Sequence, residues 1–326
     1  DSIVPASEQG GLNMSLLVRG IICLLLMVGP VAADESRPVA GGDFQGANLQ
    51  GANLSGADLR GVNLSGADLR GADFSKADLR ESYLRSANAA GANFSGANLG
   101  NADLTQADLR DAVLKGANLS LAHLDAARMD GVLGAGLFMP GASLVKARAR
   151  GADFSKAFLP DSDLRQADFR GASFENANMG GRGLAHPGPN GARMRGTDFT
   201  DAKLSGANLI NAQMMETNLN GADLSGANLG NADLTWSHAA RANFSKADLS
   251  WVRGYGADFT GAGFQGAQLI LTQFTGANLR NADFSGAKLD STDMTQADLT
   301  DARFEGAELD QVNARASRNV PEVLKG

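Results

Sequence analysis

The chain has 326 residues, a formal net charge of −7, 41 Gly and a single Cys. One cysteine excludes a disulfide framework and a cysteine-built metal centre. An excess of only 36 acidic over 29 basic residues excludes a heavily acidic surface.

Residues 14–33 read as a secretory signal peptide. Met14 opens a stretch with Arg19, an apolar run follows over 21–28, and Val31, Ala32 and Ala33 supply small residues before Asp34. The run is short for a membrane span, which needs about 20 residues. Cleavage is expected after Ala33, leaving 34–41 as a linker and placing the product in a bacterial periplasm or outside the cell. An uncleaved segment would instead tether the chain to the membrane. Residues 1–13 contain no Met and read as upstream sequence. Cys23 lies inside the apolar run after Gly20, Ile21 and Ile22, without the small residue that precedes a lipid-modified bacterial cysteine. The mature chain would therefore carry no thiol.

From Phe44 to Leu309 the sequence repeats every five residues, for about 54 steps without losing count. Leu, Phe or Met stands at numbers ending in 4 or 9, and Ala or another small residue stands two before it. Gly46-Ala47-Asn48-Leu49-Gln50 shows the unit. A period of five fits neither a continuous helix nor a continuous strand, so the chain must turn at every repeat. The bulky residue and the small one two before it share the inward face of a short extended segment. The Asp or Asn between them points outward, and the Gly region forms a corner.

These repeats resemble the pentapeptide-repeat family, whose unit is A(D/N)LXX, and the resemblance covers the chain beyond residue 41. It implies an all-β right-handed quadrilateral β-helix with one repeat per side, twenty residues per coil and about 13 coils. At about 4.8 Å between neighbouring strands the rod would be on the order of 65 Å long. Residues twenty apart should then stack: Phe74 on Phe94, Phe154 on Phe174, and Phe244, Phe264, Phe284 and Phe304 in one ladder.

Three regions depart from the rule. Over 126–150 the centres become Met129, Gly134, Met139 and Ala149, with Arg128, Leu133, Phe138 and Arg148 at outward positions. Over 180–193 Pro187 and Pro189 fall where side chains should point inward; Pro cannot donate to a ladder, so a bulge or kink is expected there. That kink would divide an N-terminal lobe, 42–179, from a C-terminal lobe, 194–313. A milder fault runs over 236–254. Because the count is kept, the faults at 126–150 and 180–193 read as altered repeats and not as insertions. Residues 314–326 leave the pattern and are expected to cap the last coil, where an uncovered edge would otherwise favour a homodimer through one end.

The chemistry-bearing residues point away from catalysis. Ser recurs as a repeat position, as in Leu54-Ser55, and no nucleophile elbow or phosphate-binding loop occurs. Single Asp residues at a spacing of five do not converge as calcium-binding rolls require. His123, His186 and His238 are not twenty apart and should not share a column. Neither a cofactor nor a metal is expected. Asp is interleaved with Arg, as in Asp58-Leu59-Arg60, which suggests a self-paired surface. Some relatives, the gyrase-protecting proteins of quinolone resistance, are acidic rods that imitate DNA. The resemblance therefore leaves an alternative, an acidic rod that binds a DNA-processing enzyme such as gyrase, although nucleic acid itself is not a favoured partner.

The surface that breaks the outward rule is the candidate site. Phe138 and Phe158, twenty apart at Asp/Asn positions, should be neighbours facing outward, with Lys146, Arg148, Arg150, Arg165 and Arg170 in the same part of the rod. Either they form a docking or self-association patch, or a loop at 126–150 folds back over the rings. The favoured reading is an exported, non-catalytic scaffold that binds another protein or a cell-envelope component.

Overall fold

The computed structural model describes residues 40–181 and 191–325. The signal segment 1–33, Cys23, most of the linker, and His186, Pro187 and Pro189 lie outside the described residues. The described chain winds into a rod of square coils.

Each corner is a β-turn closed by a backbone bond, as where the Ala47 N–H donates to the Phe44 carbonyl at 3.0 Å. The third residue of the turn takes positive φ: 66° at Gly46, 58° at Lys76, 64° at Trp251. This is the type II signature, which favours Gly or Asn. It recurs at every described number ending in 1 or 6 from Gly41 to Ala316, apart from Gly181 and Gly191. Many of these corners are not Gly, and the outward Asp/Asn compensates for this. Its Oδ1 accepts the N–H two residues on, as from Gln50 to Asn48 at 3.1 Å and from Ser155 to Asp153 at 2.9 Å. These carboxyls and amides are turn caps more than solvated decoration.

Four corners per coil leave four walls, each a parallel ladder along the rod. Wall 1 runs from Asp43 to Asn313, wall 2 from Asn48 to Arg318, wall 3 from Asn53 to Arg303 and wall 4 from Asp58 to Glu308. Among the described residues, three-residue strands occur only at the C-terminal end of wall 4, as β1 (Gln268–Ile270), β2 (Lys288–Asp290) and β3 (Glu308–Asp310), paired parallel with a twenty-residue offset. A 3-10 turn, Glu322–Leu324, follows the last coil, where Val320 and Leu324 lie against the end of the core.

The core is one continuous column from Phe44 to Phe304. Phe74 stacks on Phe94 with centroids 5.0 Å apart and Phe154 on Phe174 at 5.1 Å. Phe244, Phe264, Phe284 and Phe304 form the expected ladder at 5.1, 4.7 and 4.9 Å. Each such pair adds roughly 0.5–1.5 kcal/mol beyond its burial. Ser and Thr at small inward positions, Ser237 excepted, send their hydroxyls to backbone carbonyls, as from Ser162 to Met139 at 2.8 Å. The region 126–150 is regular: Met129, Met139 and Ala149 are buried, and its own chain keeps the square course without folding back over Leu133 and Phe138. A Cβ at Gly134 would stand 3.1 Å from the Asp153 carbonyl oxygen and in van der Waals contact with Phe154, one coil on.

The segment 180–193 corrects the sequence reading. Ladder partners are twenty apart everywhere except across it, where they are thirty apart: Asp163 with Arg193, Asp168 with Asp198, Ser173 with Lys203 and Asn178 with Asn208. The chain leaves the wall after Gly181, whose N–H reaches the Ile210 carbonyl at 2.8 Å. It rejoins at Ala192, whose N–H closes the usual corner onto Met179 at 2.8 Å. Residues 182–191 are thus an insertion. Its length equals two repeats, which is why the five-residue count passes through it unchanged. Phe169 consequently stacks on Phe199, thirty residues away, at 5.5 Å. The ladders of all four walls continue from 42–179 into 194–313.

Deleting residues 182–191 joins Gly181 to Ala192 and restores a twenty-residue coil. The folded rod should persist, with a stability change within about 1 kcal/mol by denaturant titration, since loop length costs little. Adding a side chain at Gly254 should do the opposite, because a Cβ there falls 2.8 Å from Phe274 Cδ1. Gly254→Ala should cost about 1–3 kcal/mol by overpacking, and Phe274→Leu in the same chain should recover much of that loss.

Candidate functional site

Phe138 and Phe158 are ladder partners on wall 4. Their rings lie 5.2 Å apart and 4° from parallel, and they remain 44% and 37% exposed. Regular coils hold them there: Met139 and Leu159, next in sequence, point inward and are buried, which sends their neighbours out. Pro140 and Pro160 follow on the same wall. Leu133, 53% exposed on wall 3, and Leu121, 55% exposed at the corner between walls 4 and 1, extend the apolar surface around the rod.

The basic residues expected beside the Phe pair are not there. Arg148 is a ladder residue of wall 2, opposite wall 4. Arg150 and Arg170 stand at the edge of that same wall, Lys146 at the corner between walls 1 and 2, and Arg165 on wall 1. A stretch close in sequence has been carried around a square. The arginines are also engaged: Arg148 with Asp130 at 2.9 Å, Arg150 and Arg170 with Asp168 at 2.6 and 2.7 Å, and Arg165 with Asp163 at 2.7 Å. The apolar patch and the basic cluster are two separate features.

Pairing of this kind sets the electrostatics over much of the rod, including the N-terminal end of wall 4. Arg60 grips Asp58 through Nε at 2.8 Å and Nη2 at 2.6 Å, and Arg110 grips Asp108 likewise. The hydrogen bond from Arg60 holds the Asp58 carboxyl below the usual range, and that from Arg110 does the same for Asp108. At Asp163 burial opposes ionisation, but Arg165 and the Arg193 charge outweigh it and the net shift is downward. His123 stands on wall 1 and His238 on wall 2. Among the described residues no group of three or more His, Cys, Asp or Glu could hold a metal ion.

A second exposed aromatic group lies where the sequence showed only a mild fault. Trp236 and Trp251 occupy positive-φ corners on either side of wall 1. The Trp236 ring lies on Gly256 of the next coil, in the space a Cβ would fill. Tyr255 projects from the wall between them and donates its hydroxyl hydrogen bond to Gln273. Bulky residues at numbers ending in 1, 5 or 6, where small or polar ones are usual, were the available signal.

A carboxylate with a depressed folded-state pKa stabilises the fold above its unfolded pKa, near 4, and loses that contribution as pH falls. The denaturant midpoint should therefore be flat from pH 7 to about 5 and decline below about pH 4. Asp108→Asn, which keeps the cap oxygen but loses the charge, should make the decline shallower. A midpoint that rises on acidification would contradict this assignment.

The family model for pentapeptide repeats (8 copies) matches residues 43–75, 63–101, 102–132, 142–181, 190–221, 217–253 and 277–313. Among solved structures, HetL from the cyanobacterium Nostoc sp. strain PCC 7120, a pentapeptide repeat protein involved in heterocyst differentiation regulation, is 28% identical. That match covers 83% of this chain and 91% of HetL with a TM-score of 0.22. QnrB1, a plasmid-mediated fluoroquinolone resistance protein, is 17% identical over 82% of this chain and 94% of its own, with a TM-score of 0.27. A pentapeptide repeat protein of the Arabidopsis thaliana thylakoid lumen is 27% identical over 44% of this chain and 74% of its own, with a TM-score of 0.17. No curated protein sequence matches.

Proposed function

Since the chain belongs to the pentapeptide repeat family, and so to the right-handed quadrilateral β-helices, we propose that it works as an exported, non-catalytic scaffold whose walls dock another protein or a cell-envelope component. The observation that carries this reading is the stacked, exposed Phe138–Phe158 pair. Two aromatic rings at positions that elsewhere often hold turn-capping Asp or Asn give up those caps and stay more than a third exposed. Such a substitution makes sense for a contact and not for a core. Imitation of DNA has less support, because the Asp columns accept backbone N–H groups and Arg side chains, which compensates their charge locally. Export rests on the composition of residues 14–33.

Cell fractionation with N-terminal sequencing tests the location: a product beginning at Asp34 in the periplasm or medium is expected, and an intact cytoplasmic chain would overturn it. Phe138→Asp with Phe158→Asp tests the surface. Both side chains are exposed, so the thermal midpoint should move little, while capture of partners from periplasmic extract should be lost. An unchanged set of captured partners would remove the docking role.

A further inference from the structure

Both tryptophans of the chain, Trp236 and Trp251, and one of its two tyrosines, Tyr255, stand together on wall 1 and its corners. Trp236 is 62% and Trp251 50% exposed, although indole rings are highly buried on average. Each occupies a corner with positive φ, a strained backbone for a bulky residue, and neither fills the core. The Trp236 ring lies flat on the wall. A Cβ built on Gly256 would stand 2.6 Å from its Cε3 and 2.7 Å from its Cη2, and nearer still to Cζ3 between them. Off the rim of the ring, the two flanking carbons would lie much farther away than the one between. That point is therefore above the ring plane. One face of the six-membered ring rests on the Gly256 backbone and the other is open to solvent. Gly256 ends the side of the square that Trp251 begins, so the Trp236 ring is level with Trp251 and Tyr255. The three extended residues between the two corners set the indoles about 10 Å apart.

We infer that this group is a binding site for an uncharged polysaccharide whose sugar rings carry equatorial hydroxyls. Such a ring has an apolar C–H face and a rim of hydroxyls, and the polymer offers these faces one after another. Wall 1 presents the complement, apolar ring platforms separated by polar groups. Between the indoles stand Arg253, paired with Asp233 at 3.4 Å, and Tyr255, whose hydroxyl donates to Gln273. These groups offer donors and acceptors to hydroxyls from positions already fixed. Other occupants match less well. A protein partner buries aromatic anchors inside one desolvated patch, whereas here charged residues separate the rings. A single-stranded nucleic acid also stacks on exposed rings, but it needs a positive groove along its backbone. Over 211–296 wall 1 and its corners carry Glu216, Asp233 and Asp293 against Arg253 alone, which repels a polyanion. The same balance turns away acidic polysaccharides and leaves neutral ones. The site is separate from the Phe138–Phe158 surface on wall 4 and does not depend on its docking role.

Because both tryptophans lie at the site, intrinsic tryptophan fluorescence reports on it alone. Titration of the purified chain with cellohexaose or chitohexaose, β-1,4 oligomers of glucose and of N-acetylglucosamine, should change the emission saturably. The tighter of the two identifies a plain or an N-acetylated glycan. Kd should be on the order of 0.1–1 mM, since an open platform covers only one side of its ligand. By calorimetry, Trp236→Ala and Trp251→Ala should each weaken binding roughly fivefold. Gly256→Ala is the sharper variant, because its methyl lifts the Trp236 ring off the wall without removing it. It should weaken binding about as much as Trp236→Ala. Gly276→Ala, at the same corner one coil on and with nothing within 4 Å of the added methyl, controls for the backbone cost and should leave Kd unchanged. Phe138→Asp with Phe158→Asp should leave it unchanged too, so the sugar site and the docking surface are read separately. No saturable change by about 10 mM of either sugar, well above that Kd, overturns the inference. So does binding that survives Trp236→Ala and Gly256→Ala, or tighter binding of a thymidine oligonucleotide than of either sugar.

Discussion

The corner turn is the constraint on which the molecule depends. Each side of the square is too short to be a strand with an identity of its own, and most ladder contacts are single bridges. The chain is held because every fifth residue accepts positive φ and because an Asp or Asn oxygen caps the same corner. Once the corner repeats, the ladder, the inward columns and the Phe stacks follow from geometry. The same dependence explains where variation is tolerated. Inward positions must sum correctly, as Gly254 with Phe274 shows. Outward positions are constrained only by their cap, so Phe, Arg, Leu or Tyr can replace Asp or Asn wherever the rest of the turn suffices.

The repeat made the inward and outward positions, the corner residues and the aromatic ladders legible in the sequence, since each depends on neighbours five or twenty residues away. Two things were not legible. An insertion of two repeat lengths is invisible to a five-residue count; only the change of ladder partner from twenty to thirty residues, at Asp163 with Arg193, exposes it. Proximity in sequence also misled. Arg148 and Phe158 are ten residues apart, half a coil, and half a coil is the opposite wall. Leu121 and Leu133, exposed at the corner and on the wall that flank wall 4, were the less conspicuous residues.

Sorting residues by wall changes what the surface means. Walls 1 and 2 carry most of the Asp–Arg pairs, which suits a solvated exterior with little net field, and wall 3 carries one, Arg303 with Asp283. The fourth is uncharged at its ladder positions along its middle and carries two exposed aromatic rings where a cap would serve the fold better. Differences between otherwise equivalent walls are where a regular rod can carry specificity. The Trp236–Trp251–Tyr255 group on wall 1 shows that the chain departs from its own rule in more than one place.

Hydroxyl-radical footprinting reads the central claim directly, by comparing side-chain oxidation in dilute purified protein with that in the cell compartment where the chain resides. If wall 4 is a contact surface, Phe138 and Phe158 should be oxidised in the dilute protein and protected in the native setting, with Tyr83 on wall 1 as an internal reference. Equal oxidation of the two rings in both settings would contradict the account.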